Sequence, residues 1–183
     1  ENMQEMLKRA SAPQQISWLE KARAIGPMVD AASLRAEHAT QLSEDVVCAI
    51  EQAGLFAIMV PRELGGGEAH PLAVIDAISE RSDWDGSAGW YSHAVMTGGA
   101  VAGAYLGPRA VSAIFPDGHF LRAAGQAAPT GKAERRGDSY RISGRYSFGS
   151  GTPHAAYVVG GFMAEEGGKP LTDENGQPIM LIG

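Results

Sequence analysis

The stretch YRISGRYSFGSGTPHAAY, residues 140–157, decides how this chain is read. Tyr140, Ile142 and Tyr146 stand among polar residues, which predicts a strand at its start. The strand breaks into a loop between Phe148 and His154 that holds Gly149, Gly151 and several hydroxyls. Glycine has no Cβ, so backbone N–H groups and the Ser150 hydroxyl can come close to a ligand there. Phe148 would add an apolar wall. A flat heteroaromatic ligand with polar edges suits that combination.

Outward from this loop, the texture on the C-terminal side is strand and turn. Residues 155–163 form a strongly apolar strand candidate, and Asn175-Gly176 is a hairpin signal leading into residues 179–182. Arg136-Gly137-Asp138-Ser139 is a turn between two further strand candidates. Strand character begins at His119, which puts a boundary near residue 118.

On the N-terminal side the patterns are helical. Residues 14–37 carry Ile16, Leu19, Val29 and Leu34 among charges, and Gly26-Pro27 is expected to kink or divide that helix. A second helix starts at the N-cap candidate Ser43, carries Glu44 and Asp45 in its first turn, shows Val46, Val47 and Ile50 as its stripe, and ends at Gly54. The apolar run 55–60 reads as extended and buried, with Pro61 and the glycines at 65–67 turning the chain. Pro71 opens a third helix with Leu72, Ile75 and Ile78 as its expected stripe, ending near Trp84.

Asp85-Gly86-Ser87 begins a helix of small residues that Gly107-Pro108 closes, and a short helix follows to the turn at 115–118. Each of Gly98, Gly99 and Gly103 weakens a helix by about 1 kcal/mol relative to Ala, so close packing against a neighbour or ligand is expected there. Residues 87–106 carry no charge over a membrane-spanning length, but Gly, Ala, Ser and Thr dominate, which favours a buried helix over a span.

Composition bounds the function. The 183 residues are 44% hydrophobic and 20% charged, enough for a buried core. A net charge of −6, with Arg135-Arg136 the only adjacent arginines, argues against nucleic-acid or membrane-surface partners. Residues 1–9 lack the apolar segment of a signal peptide, and the single Cys48 excludes an internal disulfide, which fits a cytoplasmic location. Cys48 reads as a buried small hydrophobe. The histidines show no metal-ligand spacing, so no metal is expected.

The run GRYSFGSG, residues 144–151, resembles the flavin-contacting segment of the acyl-CoA dehydrogenase superfamily, and SGTPHA, residues 150–155, is most similar to its flavin-dependent monooxygenase branch. The run from Ala53 through Val60-Pro61 to the following glycines resembles a second family motif. The resemblance implies an α+β chain: residues 1–118 a helical domain, residues 119–183 a β-barrel or sandwich domain incomplete at its end, and a C-terminal helical bundle absent. It therefore implies a fragment, inactive or nearly so by itself.

By that resemblance, reduced FMN or FAD arrives from a separate flavin reductase, molecular oxygen is the oxidant, and an aromatic or polycyclic phenolic substrate is hydroxylated by a homotetramer. Phe148, Gly149, Ser150, Gly151 and Thr152 are the implied flavin contacts. Ser150 would hydrogen-bond the reactive edge of the flavin; Phe148 either covers a flavin face or is a core phenylalanine. His93, on the apolar helix beside Trp90 and Tyr91, either hydrogen-bonds or deprotonates a phenol or is a core histidine. Trp90 and Tyr91 either line the substrate pocket or pack. His154 would flank the flavin.

Two other readings stand beside this one. An acyl-CoA dehydrogenase with tightly bound FAD would carry a T-E-P segment where this chain has residues 126–129, QAAP. A module that only self-associates through exposed apolar surface is the non-enzymatic reading. Gly131-Lys132 is not a phosphate loop, since the glycine spacing is wrong and Ala133 replaces the hydroxyl residue.

Overall fold

A computed structural model describes residues 16–183. The reading of residues 1–9 and the predicted helix start at residue 14 lie outside the described residues. Helix α1 runs Trp18–Ala39 behind a capping box: Glu20 N–H donates to Ser17 Oγ at 3.2 Å, and Ser17 N–H donates to Glu20 Oε2 at 2.8 Å. Gly26-Pro27 does not divide it; Pro27 lies within one continuous helix. Gly26 serves packing instead, because a Cβ there would run into the Trp84 indole.

Helix α2, Glu44–Gln52, buries Val46, Val47 and Ile50 as expected, and Gly54 follows it at φ 74°. Ser43 occupies the N-cap position without capping; its Oγ accepts from Arg35. The next apolar run departs from expectation. It is buried but not extended: Leu55–Ala57 is a 3₁₀ turn, and residues 67–69 fold back to donate to the carbonyls of Ala57, Ile58 and Val60.

Helix α3 spans Pro71–Trp84 and buries Val74, Ala77 and Arg81. The predicted stripe holds only at Ile78, which packs against the core, since Leu72 and Ile75 are 64% and 56% exposed. The narrower Val74/Ala77 side permits the close approach to α1 and to helix α4, Gly86–Tyr105. Asp85 caps α4 by accepting from Ala88 N–H at 2.7 Å. The glycines of α4 pack as expected: Gly98 against the Ala123 carbonyl, Gly99 against the Phe120 ring, Gly103 against Leu64 and Pro61. Helix α5 is Pro108–Ile114. No helix among the described residues is long and apolar enough to cross a membrane.

The strands are β1 (Ala123–Arg136), β2 (Ser139–Ser143), β3 (Tyr157–Glu166), β4 (Lys169–Pro170) and β5 (Met180–Ile182). They form one mixed sheet in the order β2-β1-β3-β4, with β5 also paired to β3. β1 and β3 are parallel; the other pairs are antiparallel. The register shifts midway: Gln126 faces Gly160 and Gly131 faces Phe162, so residues 127–130 bulge opposite Gly161. The result is an α+β chain whose α4 lies against β1. Its main core fills the helical part, around Val29, Val47, Ile50, Leu55, Val95 and Met96.

Candidate functional site

The seam between α4 and the sheet carries the candidate site. Trp90, His93, Thr97 and Val101 recur at helical spacing, so α4 turns all four toward one groove. Opposite them stand Ala124 and Gln126 of β1, Val159 of β3, Ile182 of β5, and Phe148 and Ser150 of the loop after β2. The groove has a volume of ≈ 310 Å³, and its lining is mostly apolar.

The loop is built by short-range bonds. Ser150 N–H donates to the Phe148 carbonyl at 2.9 Å, and Thr152 donates to the Gly149 carbonyl through both its N–H and its hydroxyl. Phe148 sits at φ 60° with its side chain 90% exposed. A bulky residue in the left-handed region is strained by about 1–3 kcal/mol, and such outliers gather at ligand sites. Phe148 and His93 are both exposed among the described residues.

Ser150 is half-buried and lines the groove, and its Oγ accepts from Trp90 Nε1–H at 2.9 Å. Gly151 follows at φ 87°, seated on the ring of Tyr91. Thr152 is exposed.

The predicted aromatic set divides. Trp90 is 62% exposed and stacks obliquely beside His93, ring centroids 5.7 Å apart. Tyr91 is 6% exposed and packs edge-on against Phe56 at 5.4 Å and His154 at 5.8 Å. It borders a second cavity of ≈ 420 Å³ with Leu42, Ser87 and His154. Burial pushes the Tyr91 phenol up to about 12, and its hydroxyl has no hydrogen-bond partner among the described residues. Trp90 and Ser150 line both cavities.

His154 faces the helices rather than the groove. Its Nε2 lies 2.9 Å from the Leu42 carbonyl and its Nδ1 3.1 Å from Glu44 Oε2. Arg122 braces the same corner: its Nε donates to the His154 carbonyl at 2.9 Å, and its guanidinium pairs with Glu51 and Glu44. Sequence reasoning missed Arg122 and Glu44, which join across long separations without any spacing signal. Thr97 was legible as the residue one turn beyond His93; Gln126 was singled out only for its departure from a motif.

Cys48 is half-buried rather than buried; burial, with Glu44 near its Sγ at 3.6 Å, pushes its thiol upward. Among the described residues no group of His, Cys, Asp and Glu converges to hold a metal ion.

No family model matches the chain. It is 31% identical to indole-3-acetate monooxygenase from Pseudomonas putida over 70% of its own length and 32% of that protein. It is 22% identical to the flavin-dependent monooxygenase oxygenase subunit HsaA from Rhodococcus jostii, over 84% of its own length and 40% of that protein. Among solved structures, 3-HSA hydroxylase from Rhodococcus sp. RHA1 superposes with a TM-score of 0.81 at 20% identity, covering 92% of this chain and 43% of that one. XiaF from Streptomyces sp., in complex with FADH2 and glycerol, superposes with a TM-score of 0.78 at 20% identity, covering 90% and 40%. The chain thus spans well under half the length of the relatives it matches. In sequence and in fold it is similar to a part of flavin-dependent monooxygenase oxygenase components, which have the acyl-CoA dehydrogenase-like fold.

Proposed function

We propose that this chain is the front portion of the oxygenase component of a two-component flavin monooxygenase that hydroxylates an aromatic or polycyclic phenolic substrate. Residues 1–118 would be its helical domain and residues 119–183 the opening of its β-barrel or sandwich domain. The observation that carries the reading is the Ser150 hydroxyl, held by Trp90 at an apolar groove shared by α4 and the sheet.

The residues present fit a flavin. The groove is apolar, as a ring face requires, and Phe148 offers an aromatic surface at its edge. Ser150 would hold the polar edge of the ring system, with backbone and side-chain contacts from Gly149, Gly151 and Thr152. Bound reduced FMN or FAD would supply the two electrons with which one oxygen atom enters a C–H bond and the other leaves as water. His93 would accept the phenol proton or hydrogen bond from the groove wall, and Trp90 would flank the substrate ring. Tyr91 would shape the second cavity from behind. The apolar lining of Val101, Val159 and Ile182 would exclude water from the reacting centre.

The reading extends to a separate reductase as the source of reduced flavin, to a homotetramer, and to a cytoplasmic setting. The relatives favour it over the dehydrogenase alternative: two are named as monooxygenases. The test uses the complete protein with chemically reduced FMN, ¹⁸O₂ and a panel of phenols and indoles. One labelled oxygen atom in the product is expected. A yellow protein that passes electrons from an acyl-CoA to an artificial acceptor, with neither oxygen nor reductase, would refute it.

A further inference from the structure

Trp90 and Ser150 stand 60 residues apart in the chain and meet across the seam between α4 and the loop after β2. The bond between them has only one possible direction. An indole nitrogen can donate but not accept, whereas a hydroxyl carries one proton and two lone pairs. Ser150 Oγ therefore accepts from Trp90, and its own proton remains free. Among the described residues Ser150 Oγ makes no hydrogen bond besides the one it accepts from Trp90.

The oxygen is also fixed in place. Ser150 N–H is tied to the Phe148 carbonyl, and Gly151 sits on the Tyr91 ring. Trp90 is too exposed to be explained as core, and with Ser150 it forms the wall between the two cavities. A donor bonded to the hydroxyl oxygen also polarises the remaining O–H, which strengthens it as a donor.

We propose that Trp90 is a positioning residue: by occupying one lone pair of Ser150 Oγ, it makes that hydroxyl a directed donor to an acceptor atom on the edge of a flat heteroaromatic ligand in the groove. The inference rests on the flavin reading and adds to it the residue that sets the polarity of the serine contact. Its signature is coupling between the two side chains in ligand affinity.

The test titrates the complete protein and its variants W90F, S150A and W90F/S150A with oxidised FMN, whose ring-edge nitrogen is an acceptor, following flavin fluorescence. Phe keeps the ring and removes the N–H at an exposed position, so W90F should fold. Each single variant is expected to weaken binding roughly fivefold, the worth of one net hydrogen bond, and the double variant should bind no more weakly than S150A. In parallel, the Trp90 indole ¹H–¹⁵N resonance should shift in S150A without any ligand. The inference is overturned alone if the complete wild-type protein binds FMN and W90F binds equally well, if the two losses multiply, or if the indole resonance does not move. A complete wild-type protein that binds no FMN overturns the flavin reading and the inference with it.

Discussion

Replacing Gly151 by Ala puts the loop geometry under direct load. Gly151 lies at φ 87°, in the left-handed region, where a side-chain-bearing residue is disfavoured by about 1–2 kcal/mol. The new Cβ would also stand 2.8 Å from Tyr91 Cε2 and 3.3 Å from Val95 Cγ2. Carbon atoms settle at roughly 3.5–4.0 Å, so the ring would have to retreat by about 0.7 Å. It has little room, being nearly buried between Phe56 and His154. Overpacking of this kind costs about 1–3 kcal/mol, which brings the expected loss to about 3 kcal/mol.

For a chain of this size that corresponds to a fall in Tm of roughly 6–12 °C, measured by circular dichroism. If the loop lifts away locally instead, the loss appears as weaker FMN binding. Gly137→Ala is the control: φ is 60° there, but a Cβ would meet nothing within 4 Å, so only the backbone contribution of about 1 kcal/mol applies. A G151A variant as stable as G137A, with unaltered FMN affinity, would refute the claim that Tyr91 seats the loop.

Arg81 is fully buried, its guanidinium has no hydrogen-bond partner among the described residues, and burial pushes its pKa down to about 10. A charged form so penalised destabilises the folded chain by about 3 kcal/mol at all pH values below 10, and the penalty fades only as pH rises from about 10 toward 12.5. R81M should therefore raise stability in urea unfolding at pH 7 by about 2 kcal/mol after packing losses, and a decrease would show that the guanidinium is satisfied. Tyr91 has the opposite sign: its folded pKa lies above the unfolded value of 10, so its contribution is intact below pH 10 and is lost as pH rises toward 12. Y91F should gain on the wild type by about 1.4 kcal/mol between pH 8 and pH 11; a constant difference over that range would contradict the burial argument. Arg122→Gln removes the brace between α2 and the His154 carbonyl. It should lower stability by about 2 kcal/mol, and the loss should not add to that of E51Q in a double-variant cycle.

Much of the helical part could be read locally. The acidic first turn of α2 and its glycine terminator, the Asp85 cap of α4 and the turn at Gly137 depend on groups a few residues apart. The run 55–60 could not be read that way. A short apolar run is compatible with strand or compact turn, and what decided was residues 67–69 folding back onto its carbonyls. Helix α3 offered two apolar faces, and the close approach of α1 and α4 selected the narrow one, leaving Leu72 and Ile75 outside. His154 reads from its sequence neighbours as a flavin-flanking residue, but the partners that orient its ring, Glu44 and the Leu42 carbonyl, lie 110 and 112 residues away.

By itself the sequence determined the order of helices then strands, the glycine-flanked serine loop, and the resemblance to flavin monooxygenases, because each rests on residue types at short spacing. Only the tertiary structure decided that Ser150 accepts from Trp90, that Phe148 stands out in solvent while Tyr91 is enclosed, and that Arg122 clamps the loop to α2. The physical reason is one of distance along the chain. Short-range bonds and caps are written in neighbouring residues, whereas a contact across 60 or more positions exists only after helices and sheet have packed.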